Sequence, residues 1–248
     1  MKRISLIMLC LSFLLLSCKE GENGGLFSGL AKLSDTENAG IKEVHNFLGG
    51  NCEYIIGKSF SSGNEVRNYF EIKISESEGL EVYKKFPQLA GANIAYRFYK
   101  NLSEEEKEKY WKIDAKIVFL DGQEEVYEFK KEELKMVDRK MPFLHKVIDI
   151  IREKRFNELD PLLNNSMVFQ YDKSEFIDKL KEKDAKFEEV AEEGFMMYGY
   201  EIYKAGDIEK EVLSIKGIIM RKKDANKFTI LLEPYSDEEV IYHLGYEF

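Results

Sequence analysis

The apolar run from Ile4 to Leu16 sets the tightest limit on what this chain can build. Lys2 and Arg3 precede it and the small Ser17 follows it, the layout of a secretory signal: charged start, short apolar middle, small residue at the cut. The run is shorter than the roughly 20 residues a helix needs to cross a bilayer. The most hydrophobic stretch is therefore predicted to leave with a signal peptide of residues 1–17, and the fold must come from the other 231 of 248 residues. That length suits one large domain or two ordinary ones.

Leu15-Leu16-Ser17-Cys18 resembles the lipobox of bacterial lipoproteins. The resemblance implies cleavage between Ser17 and Cys18, diacylglycerol on the Cys18 sulfur, and a further acyl chain (palmitate or similar) on the new amino group. Each buried CH₂ contributes about 0.8 kcal/mol and two chains suffice for stable anchoring, so a triacylated Cys18 holds the bilayer by itself. The other reading of the same residues is a conventional signal with an incidental cysteine. Lys19 stands where, in enteric bacteria, an aspartate retains lipoproteins at the inner membrane, which points to the cell outer membrane. Lys19-Glu20-Gly21-Glu22 is similar to, but shorter than, acidic tracts that route some lipoproteins to the cell surface; the periplasmic and the surface face both stay open.

The signal carries two of the 37 basic residues and none of the 46 acidic ones, so the mature charge is 35 − 46 = −11. Such a body is unsuited to nucleic acid, whose phosphates are bound through Lys and Arg, and to a polybasic grip on anionic lipid. Cys10 leaves with the signal and Cys18 is consumed by the lipid, which leaves Cys52 and no intramolecular disulfide. Cys52, beside Tyr54 and Ile55, reads as a small buried hydrophobe rather than a reactive thiol. Stability then has to come from an ordinary core, for which 44% hydrophobic residues are enough.

Glycine and serine with scattered charge make residues 18–35 a flexible tether. An N-terminal α+β domain is expected over 36–140. Ile41, Val44 and Leu48 share a helical face that Gly49-Gly50 stops, and strands follow at Cys52–Phe60 and Val66–Ile74, with a turn at Gly63-Asn64. Leu80, Tyr83 and Phe86 return to helical spacing, and Pro87 opens a new helix to about Tyr99. Ser103 with Glu106 is a capping box, and Trp111–Leu120 and Glu124–Phe129 form a hairpin across Asp121-Gly122. Trp111 reads as a core anchor. Asp138–Pro142, polar and with a proline, is the expected domain boundary. A second α+β domain over 141–248 begins with an amphipathic helix from Phe143 and a helical run to Asn164-Asn165. Asp172 with Glu175 is a second capping box, starting a further helix, and strands follow at Phe195–Tyr203, Glu211–Arg221, Lys227–Glu233 and Glu239–Phe248. The fold class is α+β: two small domains, each an antiparallel sheet packed with helices.

The succession from Ile150-Ile151-Arg152-Glu153-Lys154-Arg155-Phe156 through Leu162-Leu163 and the Ser174–Leu180 helix into four strands resembles the nuclear transport factor 2-like (cystatin-like) superfamily. The likeness covers roughly 141–248 and is one of element order. It implies a sheet covered by helices, and it assigns no activity, because that superfamily hosts enzymes, binding modules and domains without one.

The chain has no Walker A loop, dinucleotide fingerprint, His-Glu-x-x-His or Gly-x-Ser-x-Gly. His45, His145 and His243 are isolated from one another, which argues against a metal site, and no cofactor is expected. His243 on the last strand can face Glu201 or Glu233 across the sheet, a pairing suited to general-base work; the other reading is a rim histidine. Met196, Tyr198, Tyr200 and Ile202 alternate on one strand face, and with Tyr235, Tyr242 and Tyr246 they either line a pocket or fill a core. Tyr198, Tyr200, Tyr242 and His243 are thus the candidate pocket residues. The mixed-charge runs Glu104–Lys109, Lys130–Glu133 and Lys179–Lys186 read as solvated helix faces, and Asp121, Asp172 and Asp207 as turn residues. The expected function is a membrane-anchored, non-enzymatic module binding an envelope protein or a small apolar ligand. A hydrolase or isomerase with a C-terminal pocket is the alternative, and a spacer between envelope layers is a third reading.

Overall fold

A computed structural model describes residues 32–60, 66–164, 172–205 and 210–247. The expected signal, Ser17, Cys18 and the tether up to residue 31 lie outside the described residues, as do the turn Gly63-Asn64, Asn165 and Asp207.

Helix α1 (Asp35–Leu48) starts on a capping box, in which Ser34 Oγ accepts from Glu37 N–H and the Glu37 carboxylate accepts from Ser34 N–H. Gly49, at φ 69°, ends it. Strands β1 (Asn51–Phe60) and β2 (Val66–Ser75) pair antiparallel. The chain then crosses through α2 (Glu78–Glu81), α3 (Pro87–Tyr99) and α4 (Glu104–Lys109) before β3 (Tyr110–Val118) and β4 (Glu124–Lys130) form a second hairpin. That hairpin turns at Gly122, φ 87°. Helix α5 (Lys131–Arg152), a 3-10 turn (Phe156–Leu162) and α6 (Lys173–Asp184) lead into a meander of β5 (Val190–Ala205), β6 (Lys210–Arg221), β7 (Ala225–Leu232) and β8 (Ile241–Glu247). Two four-stranded sheets packed with helices make the fold α+β. The C-terminal sheet is antiparallel throughout. In the N-terminal one, β2 and β3 are parallel, because a helical crossover rather than a hairpin separates them.

The expected boundary at Asp138–Pro142 falls inside α5, which runs unbroken through Pro142. Leu134, Val137, Leu144, Ile148 and Ile151 are all buried along one stripe of this helix. A proline inside a helix costs about 3 kcal/mol or more, and burying several large side chains at roughly 1.5–3 kcal/mol each outweighs it. The stripe belongs to a core cluster containing Phe70 and Ile113 from the first sheet as well as Ile215 and Phe228 from the second.

The halves also meet where α3 covers the free edge of β5. Asn93 Nδ2 donates to the Met197 carbonyl at 2.8 Å, Arg97 reaches the same oxygen at 3.4 Å, and Tyr83 OH donates to the Tyr198 carbonyl at 3.3 Å. Gly199 lies against the Leu89 backbone so closely that a Cβ there would press into the Leu89 carbonyl. Side chains of α3 and of the turn before it thus occupy carbonyls that an open edge strand would offer to another chain.

Three local expectations are corrected. Leu80 and Tyr83 are buried but Phe86 is exposed, because α2 ends at Glu81 and the following turn breaks the helical phase before Pro87. Trp111 is half-buried under Arg67 and Lys112 rather than anchoring the core; the β2–β3 register shifts between Asn68 and Tyr69, and Tyr110 takes the core position instead. Asp172 caps α6 through Glu175 N–H without the reciprocal bond of a full capping box. No helix among the described residues is long and apolar enough to cross a membrane.

Candidate functional site

A cleft of about 670 Å³ opens at the seam between the two halves. Tyr99 from α3 and Met136 from α5, both buried, supply its apolar side with Ile202 from β5. Glu104, Lys107 and Glu108 from α4 form one wall, and Glu132, Glu133, Lys135, Asp138 and Arg139 from the start of α5 form another; Tyr235, from the loop between β7 and β8, stands at the mouth.

Most of these charges hold one another. Lys107 bridges Glu104 at 3.0 Å and Asp138 at 3.3 Å while its ammonium lies over the Tyr99 ring. Burial pulls the Lys107 pKa down, but the two carboxylates more than offset it and the net shift is upward. Tyr96 OH donates to the other Asp138 oxygen at 3.0 Å. Arg139 pairs with Asp237 at 3.0 Å and donates to the Pro234 and Tyr235 carbonyls. The next residue, the buried Lys140, donates to the Ser236 and Glu238 carbonyls, so α5 grips the β7–β8 loop with two cations; burial pushes the Lys140 pKa down.

Glu133 differs from its neighbours. Burial pushes its carboxyl above the usual glutamate range, against the opposing pull of Tyr200 and Lys130. The fully enclosed Tyr200 hydroxyl lies close enough to Glu133 to interact but outside good hydrogen-bond geometry. Burial first, then the Glu133 charge, raises the Tyr200 phenol well above the ordinary tyrosine value. A partly desolvated carboxyl beside an enclosed phenol, at the edge of a cleft, is a polar feature of the kind that orients a bound group.

The structure divides the four sequence-predicted pocket residues. Tyr198 and Tyr200 lie at the seam, edge-on to Tyr83 at 6.2 Å and to Phe129 at 6.0 Å. The expected alternation from Met196 to Ile202 is broken there: the β5–β6 register shifts between Met197 and Gly199, so that Met197 and Tyr200 are both buried. Tyr242 belongs to a separate cluster with Val212 and Leu231, and its hydroxyl donates to Glu233. His243 is exposed on β8 beside the Phe176 ring, 5.7 Å away, and desolvation by that packing, with the Lys183 charge, lowers its pKa. The carboxylates considered for it are engaged elsewhere, Glu201 with Lys216 and Glu233 with Tyr242 and Lys210.

Cys52 is half-buried against the core, and burial, with the Glu53 charge, pushes its thiol up to about 12. Among the described residues, no group of three His, Cys, Asp or Glu side chains is placed to hold a metal ion. The cleft itself was missed because its walls come from runs whose mixed charge resembles a solvated surface. The available signal was Asp138-Arg139-Lys140, a polar triplet inside an otherwise apolar helical stripe. Compared with known proteins, the chain matches no family model, no curated protein and no solved structure.

Proposed function

We propose that this protein is a lipid-anchored envelope lipoprotein whose two-sheet body is a binding module, with the seam cleft as its recognition site. The observation that carries the anchor is the order Lys2-Arg3, apolar run, Leu15-Leu16-Ser17-Cys18. The absence of Asp after Cys18 favours the outer membrane. The binding reading rests on the cleft: a recess with an apolar side, a desolvated Glu133 and charges locked by their neighbours suits holding a ligand or a partner's side chain. We further infer that the C-terminal half is a diverged cystatin-like module, supported by its order of helix, 3-10 turn, helix and four-stranded meander.

Mass spectrometry of the mature N-terminus tests the anchor directly. Acylated Cys18 as first residue is the expected result; a free N-terminus elsewhere contradicts the proposal. Cys18→Ala should abolish fatty-acid labelling while leaving the circular dichroism of the body unchanged. For the cleft, native mass spectrometry of protein from detergent-solubilised envelopes should find a retained molecule. It should be lost in Ile202→Trp, which narrows the recess. An equal load on both proteins removes the cleft from the reading.

A further inference from the structure

Three large apolar side chains stand in solvent on two adjoining turns of the N-terminal half. Val82 is 80% exposed, Phe86 57% and Leu120 56%. Val82 and Phe86 flank the turn between α2 and α3, and Leu120 sits at the tip of the β3–β4 hairpin. The turns are fastened together: Glu81 accepts from Leu120 N–H at 2.9 Å and Lys84 pairs with Asp121 at 2.8 Å. Beneath them Leu80, Tyr83 and Phe119 are buried, so the tip is held from below while its outer side chains face away from the core. Its charge also balances, because Lys84, paired with both Asp121 and Glu81, and the adjoining exposed Lys85 offset those two carboxylates.

We propose that this tip inserts into the lipid–water interface of the membrane that anchors the chain; the proposal rests on the acylation of Cys18. Reach permits it. The chain from Cys18 to Leu33 spans at most about 50 Å when extended, and the 14 residues of α1 account for about 21 Å. The far end of α1 meets the base of the tip, where Ser77 Oγ donates to the Leu48 carbonyl and Gly79 packs on the same oxygen. A bilayer holding Cys18 is therefore within range of Val82, Phe86 and Leu120.

Charge selects the mode of contact. A body of net charge −11 is repelled by anionic headgroups, so a second membrane contact has to be apolar and locally neutral, as this tip is. Exposed apolar clusters mark interaction sites, and projecting side chains on loops suit the headgroup–acyl boundary. With lipid at Cys18 and a wedge at the tip, the body has two attachment points and keeps one face toward the bilayer.

The test uses the native acylated protein in phosphatidylcholine vesicles, with Phe86→Trp as reporter, Glu182→Trp on the exposed face of α6 as control, and Trp111 as the background common to both. With brominated acyl chains, the fluorescence added by Phe86→Trp should be mostly lost and its emission blue-shifted, unaffected by salt. The signal from Glu182→Trp should persist. Acylated protein with an unquenched Phe86→Trp overturns the proposal, as does a blue shift without bromine quenching, which means that protein covers the tip. If mass spectrometry of the same sample finds no acyl chain, the anchor reading fails separately. Vesicles added to that unacylated protein then decide the tip, quenching supporting it and its absence refuting it.

Discussion

Asp184 and Arg221 form a buried ion pair at 2.8 Å, with side-chain exposures of 1% and 0%. Arg221 also donates to Asn226 Oδ1 at 2.7 Å and to the Glu188 carbonyl at 3.0 Å, and stacks over Phe187. Asp184 accepts from Tyr246 OH and from the half-exposed Lys154. The two partners are therefore unequal. In Asp184→Asn the guanidinium stays buried with neutral acceptors only, the situation that costs about 3–5 kcal/mol. In Arg221→Met the carboxylate keeps Lys154, and the loss is closer to that of a charged hydrogen bond, about 1.5–3 kcal/mol. For a body of this size each kcal/mol lowers Tm by about 2–4 °C, so Asp184→Asn should melt roughly 6–20 °C lower. The double variant should melt well above the sum of the single losses, because it leaves no orphaned charge. Thermal melts followed by circular dichroism, with urea unfolding to convert midpoints into free energies, measure all three. Equal losses from the two single variants, or strict additivity in the double, would refute the assignment of Lys154 as the reserve partner.

Two glutamates should respond to pH with opposite signs. Burial raises the Glu133 pKa, so its ionised form opposes folding above that pKa. Glu133→Gln should stabilise at pH 7, and the gain should fade as pH falls from the raised value to the ordinary 4.5, below which it is gone. At Glu43 burial pushes the same way, but hydrogen bonds from Lys100 and Asn101 and the charges of Lys100 and Arg97 outweigh it and lower the pKa. Glu43→Gln should therefore destabilise at pH 7, and the difference should vanish once pH drops through that lowered value; melts from pH 3 to 8 read both. Gly199→Ala drives a methyl into the Leu89 backbone and should cost about 1–3 kcal/mol in urea unfolding. Cys52, with its thiol pushed up to about 12, should resist iodoacetamide at pH 8 until the protein is denatured; labelling of native protein at the unfolded rate would contradict its placement.

Elements that carry a period or a cap were legible in the sequence. Pro87 opens α3, the Ser103–Glu106 box starts α4, and the four closing strands lie near their expected positions. Features decided by tertiary balance were not. Asp138–Pro142 reads as a boundary because a proline beside polar residues interrupts the pattern, although the apolar positions on either side of Pro142 form a single stripe. The alternation through Tyr198 is broken by a register shift whose one trace in residue type is Gly199. The cleft draws Tyr99, Glu133, Ile202 and Tyr235 from four distant segments, and no local pattern brings such residues together. Phe86 had the spacing of a core residue, and only the end of α2 at Glu81 turns it outward.

The arrangement of α3 over β5 has a consequence for biogenesis. A ribosome releases α3 about a hundred residues before β5, so the shelter is present when the strand it protects first appears. The reverse order would leave sixteen residues of strand with one rim bare while synthesis continued, a template for stacking chain on chain. A proteolytic remnant beginning after α4 recreates that hazard, and such a remnant should form fibrils where the intact polypeptide does not.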